Sequence, residues 1–230
     1  MTLRLDAIVL DLDDTLFDTT GRLLPWADRR AVAAMRAAGL DLGEDAALAR
    51  VAGLRAAGVV QTFAALAREH GAGDCCVTAG EEAWFAYDPP PMALDAAIDA
   101  ALGVLARVAP LALLTSGHPR TQQGKIDRLG LAPRFETLRI VDHRDAGGKT
   151  AALAGLIAER RWDPSRVVVC GDRPDGDVRA GNRNGCLTVL VRRKGAEFAN
   201  VATASPDDVP WRIVGSVTEL PLLLGATRSS

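Results

Sequence analysis

Three aspartates, Asp11, Asp13 and Asp14, stand within four residues, directly after the apolar run Ala7 to Leu10. A short aliphatic run reads as a buried strand, so the carboxylates sit where that strand ends. Like charges this close repel, and a cation with a charged substrate is the natural compensation. Further along, Thr115 and Ser116 follow the apolar Leu111 to Leu114, Lys149 follows a glycine pair, and Gly171-Asp172 opens an acidic loop reaching Asp177. These residue types suit phosphoryl transfer. A carboxylate can attack phosphorus to form an aspartyl-phosphate, which splits one difficult displacement into two steps. Mg2+ is a hard cation held by a few carboxylates, phosphate oxygens and waters, and it suits Asp11 and Asp172 with Asp175 or Asp177 nearby. Asp13 suits a proton carrier, its pKa expected to rise beside the negative charge of Asp11. Thr115 and Lys149 suit the phosphoryl oxygens as charge develops.

The elements needed to position these groups follow from hydrophobic patterning. Strand-like runs recur at Ala7 to Leu10, Leu111 to Leu114, Leu138 to Val141, Val167 to Cys170 and Leu187 to Val191. After the second run they alternate with helix-compatible segments at Thr121 to Leu129, Lys149 to Arg160 and Val178 to Asn184, which predicts an α/β fold with a doubly wound, Rossmann-like parallel sheet. In such sheets ligands bind beyond the carboxyl ends of the strands, where the polar residues above all fall. Ser216 and Glu219 form a capping box ahead of a short apolar helix to Leu224.

A hundred residues separate the first two strands, far more than a crossover needs. The stretch from about Leu24 to Glu82 is rich in Ala, Leu and Arg at helical spacing, with Gly39, Gly43, Gly53, Gly58 and Gly71 as breaks between short helices. An inserted helical domain is therefore expected at 18–92, leaving near Asp18 to Gly21 and returning through Pro89-Pro90-Pro91, with the α/β core formed by 1–17 and 93–230.

The 230 residues are 48% hydrophobic, with net charge -2 and scattered basic residues. That excludes an electrostatic footprint for nucleic acid or an anionic membrane and favours a small-molecule partner. No signal peptide or membrane span is evident, so the cytoplasm is the expected compartment. Cys75, Cys76, Cys170 and Cys186 lack metal-ligand spacing and read as reduced structural thiols. A monomer or homodimer is expected.

Together these motifs resemble the haloacid dehalogenase-like hydrolases over the whole chain. Asp11, Asp13 and Thr15 match the family's D-x-D-x-T, Thr115 its hydroxyl motif, Lys149 its basic motif, and Gly171-Asp172 through Asp177 its acidic motif. Ser116 stands where Asn is frequent, and Thr150 where Pro is frequent. The resemblance implies that Asp11 is the nucleophile and Asp13 the acid/base with its backbone carbonyl on Mg2+. It implies Asp172 as a further metal ligand, with Asp177 binding metal indirectly or orienting Lys149. It also implies that the helical insertion is a cap that closes over the site and selects the leaving group. Among activities of the family, Asp13 argues for phosphoryl transfer over dehalogenation. The absence of a lysine from the insertion argues against a phosphonatase, since the only lysines are Lys125, Lys149 and Lys194. A Mg2+-dependent phosphatase of a small phosphorylated metabolite is expected, with a phosphomutase, a phosphoacceptor receiver or an idle binding protein as alternatives.

Several neighbours have plainer readings. Asp14 is expected to support the turn, Asp175 to be a solvated loop residue, and His118 a polar loop residue. Ser116 either caps a helix or touches phosphate. Trp26, Trp84, Phe85 and Tyr87 are expected to pack between insertion and core, and the insertion's arginines, Arg22, Arg29, Arg30 and Arg55, to form a solvated face.

Overall fold

A computed structural model describes residues 4–59, 61–86, 89–142, 144–198 and 201–225. The chain divides into two compact units, Met1–Thr19 with Pro91–Ser230, and Thr20–Pro90. In chain order the elements are β1 (Ala7–Leu10), helices α1 (Leu24–Ala37), α2 (Glu44–Ala56), α3 (Thr62–Glu69), α4 (Asp74–Phe85) and α5 (Ala96–Leu105), β2 (Leu111–Gly117) and α6 (Pro119–Arg128). Then follow β3 (Thr137–Asp142), α7 (Gly148–Arg160), β4 (Val167–Gly171), α8 (Arg179–Arg183), β5 (Leu187–Val191), β6 (Arg212–Val214) and α9 (Leu220–Leu223).

The six described strands form one parallel sheet in the order β3-β2-β1-β4-β5-β6. β1 and β4 are buried along their whole length, which explains why both are nearly uniform aliphatic runs rather than alternating ones. On one face Ala7, Val9, Ala112, Leu114, Val167 and Val169 pack with Leu153 and Leu156 of α7. Register aligns Leu10 with Leu113 on one side and Cys170 on the other, so β1, β2 and β4 deliver their following residues to one rim.

The sequence missed β6, a three-residue edge strand whose Arg212 and Ile213 are exposed, so it carries too little apolar signal to stand out. Val178 to Asn184 is only partly α-helical. A π-helical turn, Pro174–Val178, precedes α8.

In the second unit, helices α1 to α4 enclose their own core, including Val32, Met35, Val51, Leu54, Phe63 and Leu66. Gly39, Gly58 and Gly71 follow three of these helices with positive φ, as helix stops require. Gly53 instead lies inside α2 and breaks nothing. Arg55 is not part of a solvated face: it makes a bidentate pair with the buried Asp28 at 2.6 and 2.8 Å, and Trp84 Nε1 donates to the same carboxylate at 3.3 Å. Trp84 also packs edge-on to Phe85. Tyr87 lies outside the described residues.

In the first unit, Asp208 is fully buried and accepts from Arg179 Nε at 2.8 Å and Nη2 at 3.0 Å, tying the turn Pro206–Asp208 to α8. The Arg179 hydrogen bonds hold its carboxyl below the usual carboxylate range, overcoming the upward push of burial. A lowered pKa means the carboxylate stabilises the fold fully above about pH 4 and loses that contribution as pH falls through the lowered value. Asp208→Asn is expected to melt below wild type at neutral pH, with the gap closing in acid. Equal melting temperatures at pH 7 would remove this role.

Candidate active site

The loop after β1 is built to turn sharply while staying attached to the sheet. Asp11 N still donates to Cys170 O at 2.9 Å, continuing the ladder one residue past the strand. Leu16 N and Phe17 N then bond back to Leu12 O at 2.9 and 3.0 Å, and Asp14 N bonds to Phe17 O at 2.7 Å. Leu12, Leu16 and Phe17 are buried and anchor the loop, each side chain contributing about 1.5–3 kcal/mol relative to exposure. Asp14 sits in the left-handed region at φ 53°, and its buried carboxylate is paired with Arg193 from the segment after β5. Arg193 also holds Asp18 at 2.7 Å. Asp14 therefore supports the turn.

Asp11, Asp172 and Asp177 converge from the ends of β1 and β4, each offering a carboxylate oxygen within 4.8 Å of the others. Lys149, in the first turn of α7, donates to Asp11 Oδ1 at 2.6 Å and to Asp177 Oδ1 at 2.5 Å. Asp177 is fixed from its other oxygen by Arg173 N at 3.1 Å. Its side chain lies over Gly171, where a Cβ would stand 2.1 Å from Asp177 Cγ, so only glycine lets that carboxylate reach Lys149. Asp175 stays outside this trio, exposed and paired with Arg173 at 3.1 Å. Asp13 also stays outside it.

Burial pushes the Asp11 carboxyl up to about 7, moderated by Lys149 and reinforced by Asp177 and Asp13. Burial and the charges of Asp11 and Asp177 push Asp172 up to about 9. Burial disfavours a charged Lys149, yet Asp11 and Asp177 outweigh it and raise its pKa. Asp172 forms no ion pair of its own among the described residues. A set of oxygen ligands with surplus negative charge and one unpaired buried carboxylate fits a hard divalent cation.

Asp13 departs from expectation. Burial raises its pKa, but the Lys125 charge and hydrogen bonds from Lys125, Thr19 and Gln122 win, and its carboxyl is held below the usual range. Lys125 Nζ lies 2.6 Å from Asp13 Oδ1, where Thr19 Oγ1 also donates, and Gln122 Nε2 lies 2.8 Å from Oδ2. The ammonium that outweighs the like charge of Asp11 arrives from 112 residues away, beyond what local spacing records. Gln122 Nε2 donates as well to Thr115 Oγ1 at 2.6 Å. Thr115 is fully buried at the end of β2; because its oxygen accepts there, its hydroxyl proton stays available for a ligand. Ser116 is half-buried beside it, and His118 occupies the N-cap position of α6.

Sequence reasoning thus missed Gln122, Lys125, Thr19 and Arg193. One signal was present: the buried residues of α6 are Gln122, Lys125 and Ile126, so polar groups stand three apart on the face that should be apolar.

Millimolar Mg2+ is expected to raise the melting temperature of the protein, because a cation that binds only the folded state stabilises it by mass action. Asp172→Asn should melt a few degrees above wild type in chelator, through relief of repulsion, and should lose the Mg2+ response. A wild-type melting temperature indifferent to Mg2+ would remove the cation site.

A family model described as haloacid dehalogenase-like hydrolase matches residues 5–185. Glyceraldehyde 3-phosphate phosphatase of Methanopyrus kandleri is 30% identical over 217 residues, covering 89% of this chain and 90% of that protein. Among solved structures, the hydrolase YfnB of Bacillus subtilis, bound to magnesium, superposes with TM-score 0.68 at 18% identity over 96% of this chain and 99% of that one. A predicted phosphoglycolate phosphatase of Haemophilus somnus gives TM-score 0.69 at 15% identity over 96% and 98%. The two structures show the shared fold, and with the family model and the curated relative they lead to one conclusion: the chain belongs to the haloacid dehalogenase-like hydrolases.

Proposed function

We propose that the chain is a Mg2+-dependent phosphatase that hydrolyses a small phosphorylated metabolite through an aspartyl-phosphate on Asp11. The observation that carries this reading is the convergence of Asp11, Asp172 and Asp177 on one another, with Lys149 bridging the first and last. The phosphatase relative from M. kandleri supports it and makes glyceraldehyde 3-phosphate the first substrate to try.

Asp11 attacks phosphorus, the bond from phosphorus to the ester oxygen breaks, and Asp13 gives its proton to that leaving oxygen. In the second step Asp13 takes a proton from water as the water attacks the phosphorus of the aspartyl-phosphate, releasing inorganic phosphate and restoring Asp11. Lys149 keeps Asp11 oriented, and the Thr115 hydroxyl, with Ser116 beside it, donates to the phosphoryl oxygens. Asp11, Asp172, the Asp13 backbone carbonyl and Asp177, directly or through water, would hold Mg2+, which supplies neutralisation of the charge on nucleophile and substrate. Without substrate, Asp13 paired with Lys125 is in the ionised form that the second step needs. The first step needs it protonated, and the negative charge of an incoming phosphate works in that direction. The helical insertion, placed in sequence between the first two strands, is read as the cap that selects the leaving group.

Purified protein is expected to turn over p-nitrophenyl phosphate with Mg2+ and to stop in chelator. Asp11→Asn should lose activity by several orders of magnitude while melting as a folded protein. The reading fails if wild type with Mg2+ leaves the phosphate ester intact while converting a phosphonate or a haloacid, or if Asp11→Asn keeps full activity. A screen of phosphorylated metabolites, begun with glyceraldehyde 3-phosphate and scored by phosphate release, names the substrate and separates hydrolysis from a mutase.

A further inference from the structure

We propose that Lys125 and Gln122 are positioning residues, a clamp on α6 that fixes the Asp13 carboxylate for proton transfer and ties it to the phosphate-facing hydroxyl of Thr115. The inference rests on the phosphatase reading and concerns residues that none of the motifs includes.

Burial makes both side chains costly unless they are used. Lys125 is 5% exposed and Gln122 2%, at inward positions of α6 where an uncompensated polar group costs free energy. Their partners account for them. Lys125 Nζ binds Oδ1 of Asp13 at 2.6 Å, and Gln122 Nε2 binds Oδ2 at 2.8 Å. Donors on opposite oxygens of one carboxylate oppose its rotation, and both donors stand one turn apart on a single helix. Gln122 does more than hold one oxygen. The same nitrogen lies 2.6 Å from Thr115 Oγ1, so the proton carrier and the hydroxyl share one amide and keep a fixed separation. Lys149 is engaged elsewhere, with Asp11 and Asp177. The two lysines therefore divide the site between them. One serves the nucleophile, and the other serves the proton carrier.

A group that positions a general acid affects a substrate in proportion to that substrate's need for a proton on its leaving oxygen. Phenyl phosphate needs the proton badly, p-nitrophenyl phosphate less, and 2,4-dinitrophenyl phosphate hardly at all. The value of kcat/KM reports the step in which Asp11 takes the phosphoryl group and the aryl oxide leaves, so it isolates this effect from the hydrolysis that follows. In Gln122→Met, kcat/KM for phenyl phosphate is expected to fall roughly 100-fold, while that for 2,4-dinitrophenyl phosphate falls less than about tenfold; in Lys125→Met, which also removes a charge opposing protonation of Asp13, the loss on phenyl phosphate is expected to be smaller and still to exceed that on 2,4-dinitrophenyl phosphate. Asp13→Asn sets the steepest leaving-group dependence attainable. The ratio between esters is measured within one preparation, so any misfolded fraction cancels. An equal loss on all three esters in both variants overturns the clamp and leaves the phosphatase reading standing. A wild-type enzyme that hydrolyses none of the esters overturns that reading, and the clamp with it.

Discussion

The structure depends on holding several carboxylates at one end of a buried strand without letting their repulsion open the loop. Asp11, Asp14, Asp172 and Asp177 are buried, and Asp13 is only partly exposed. Taking one such charge from water costs several kcal/mol unless a counter-charge and hydrogen bonds repay it. The fold meets that cost with side chains brought from distant parts of the chain, and most of the site's geometry follows from where those side chains must sit.

Strand order explains how they arrive. β1 lies between β2 and β4, so the loop carrying Asp11 and Asp13 has the end of β2 on one side and the end of β4 on the other. Thr115 and Asp172 come to the same rim because the strands are parallel and in register. α6 follows β2 and α7 follows β3, the next strand of the same parallel sheet, so both helices begin at that rim, where the first turn of α7 presents Lys149 and α6 presents Gln122 and Lys125. Gly171 shows how tight the arrangement is. The Asp177 side chain occupies the volume a Cβ would need there, so backbone and carboxylate are packed as one unit.

Much of this was legible in the sequence because it rests on local signals. Five aliphatic runs marked five strands, and the spacing of Asp11, Asp13 and Thr15 with Gly171-Asp172 marked the rim. Glycines after α1, α2 and α3 marked helix ends, although Gly53 has the same composition signal and lies inside a helix. The failures share a physical cause. Lys125 and Gln122 meet Asp13 across more than a hundred residues, and Arg193 meets Asp14 across 179. Sequence spacing carries no record of such pairs. Reasoning from neighbours alone therefore assigned Asp13 the wrong direction of pKa shift. β6 was missed for a different reason, since an exposed three-residue edge strand has almost no apolar pattern to read.

Pairing also sorts the acidic residues by role. Asp14 has Arg193, an arrangement that stabilises a left-handed turn. Asp13 has Lys125, while Asp11 and Asp177 share Lys149. Each cation comes from a different element, so Asp14, Asp13 and the pair of Asp11 and Asp177 are fixed separately. Asp172 is the exception. It is buried, it faces Asp11 and Asp177, and among the described residues it forms no ion pair. The other carboxylates at the rim each have a counter-ion in contact, whereas Asp172 feels Lys149 only at a distance and against the closer charges of Asp11 and Asp177, so the excess negative charge lies beside the carboxylate of Asp11. A divalent cation held there by Asp172 and Asp11 would neutralise that excess negative charge.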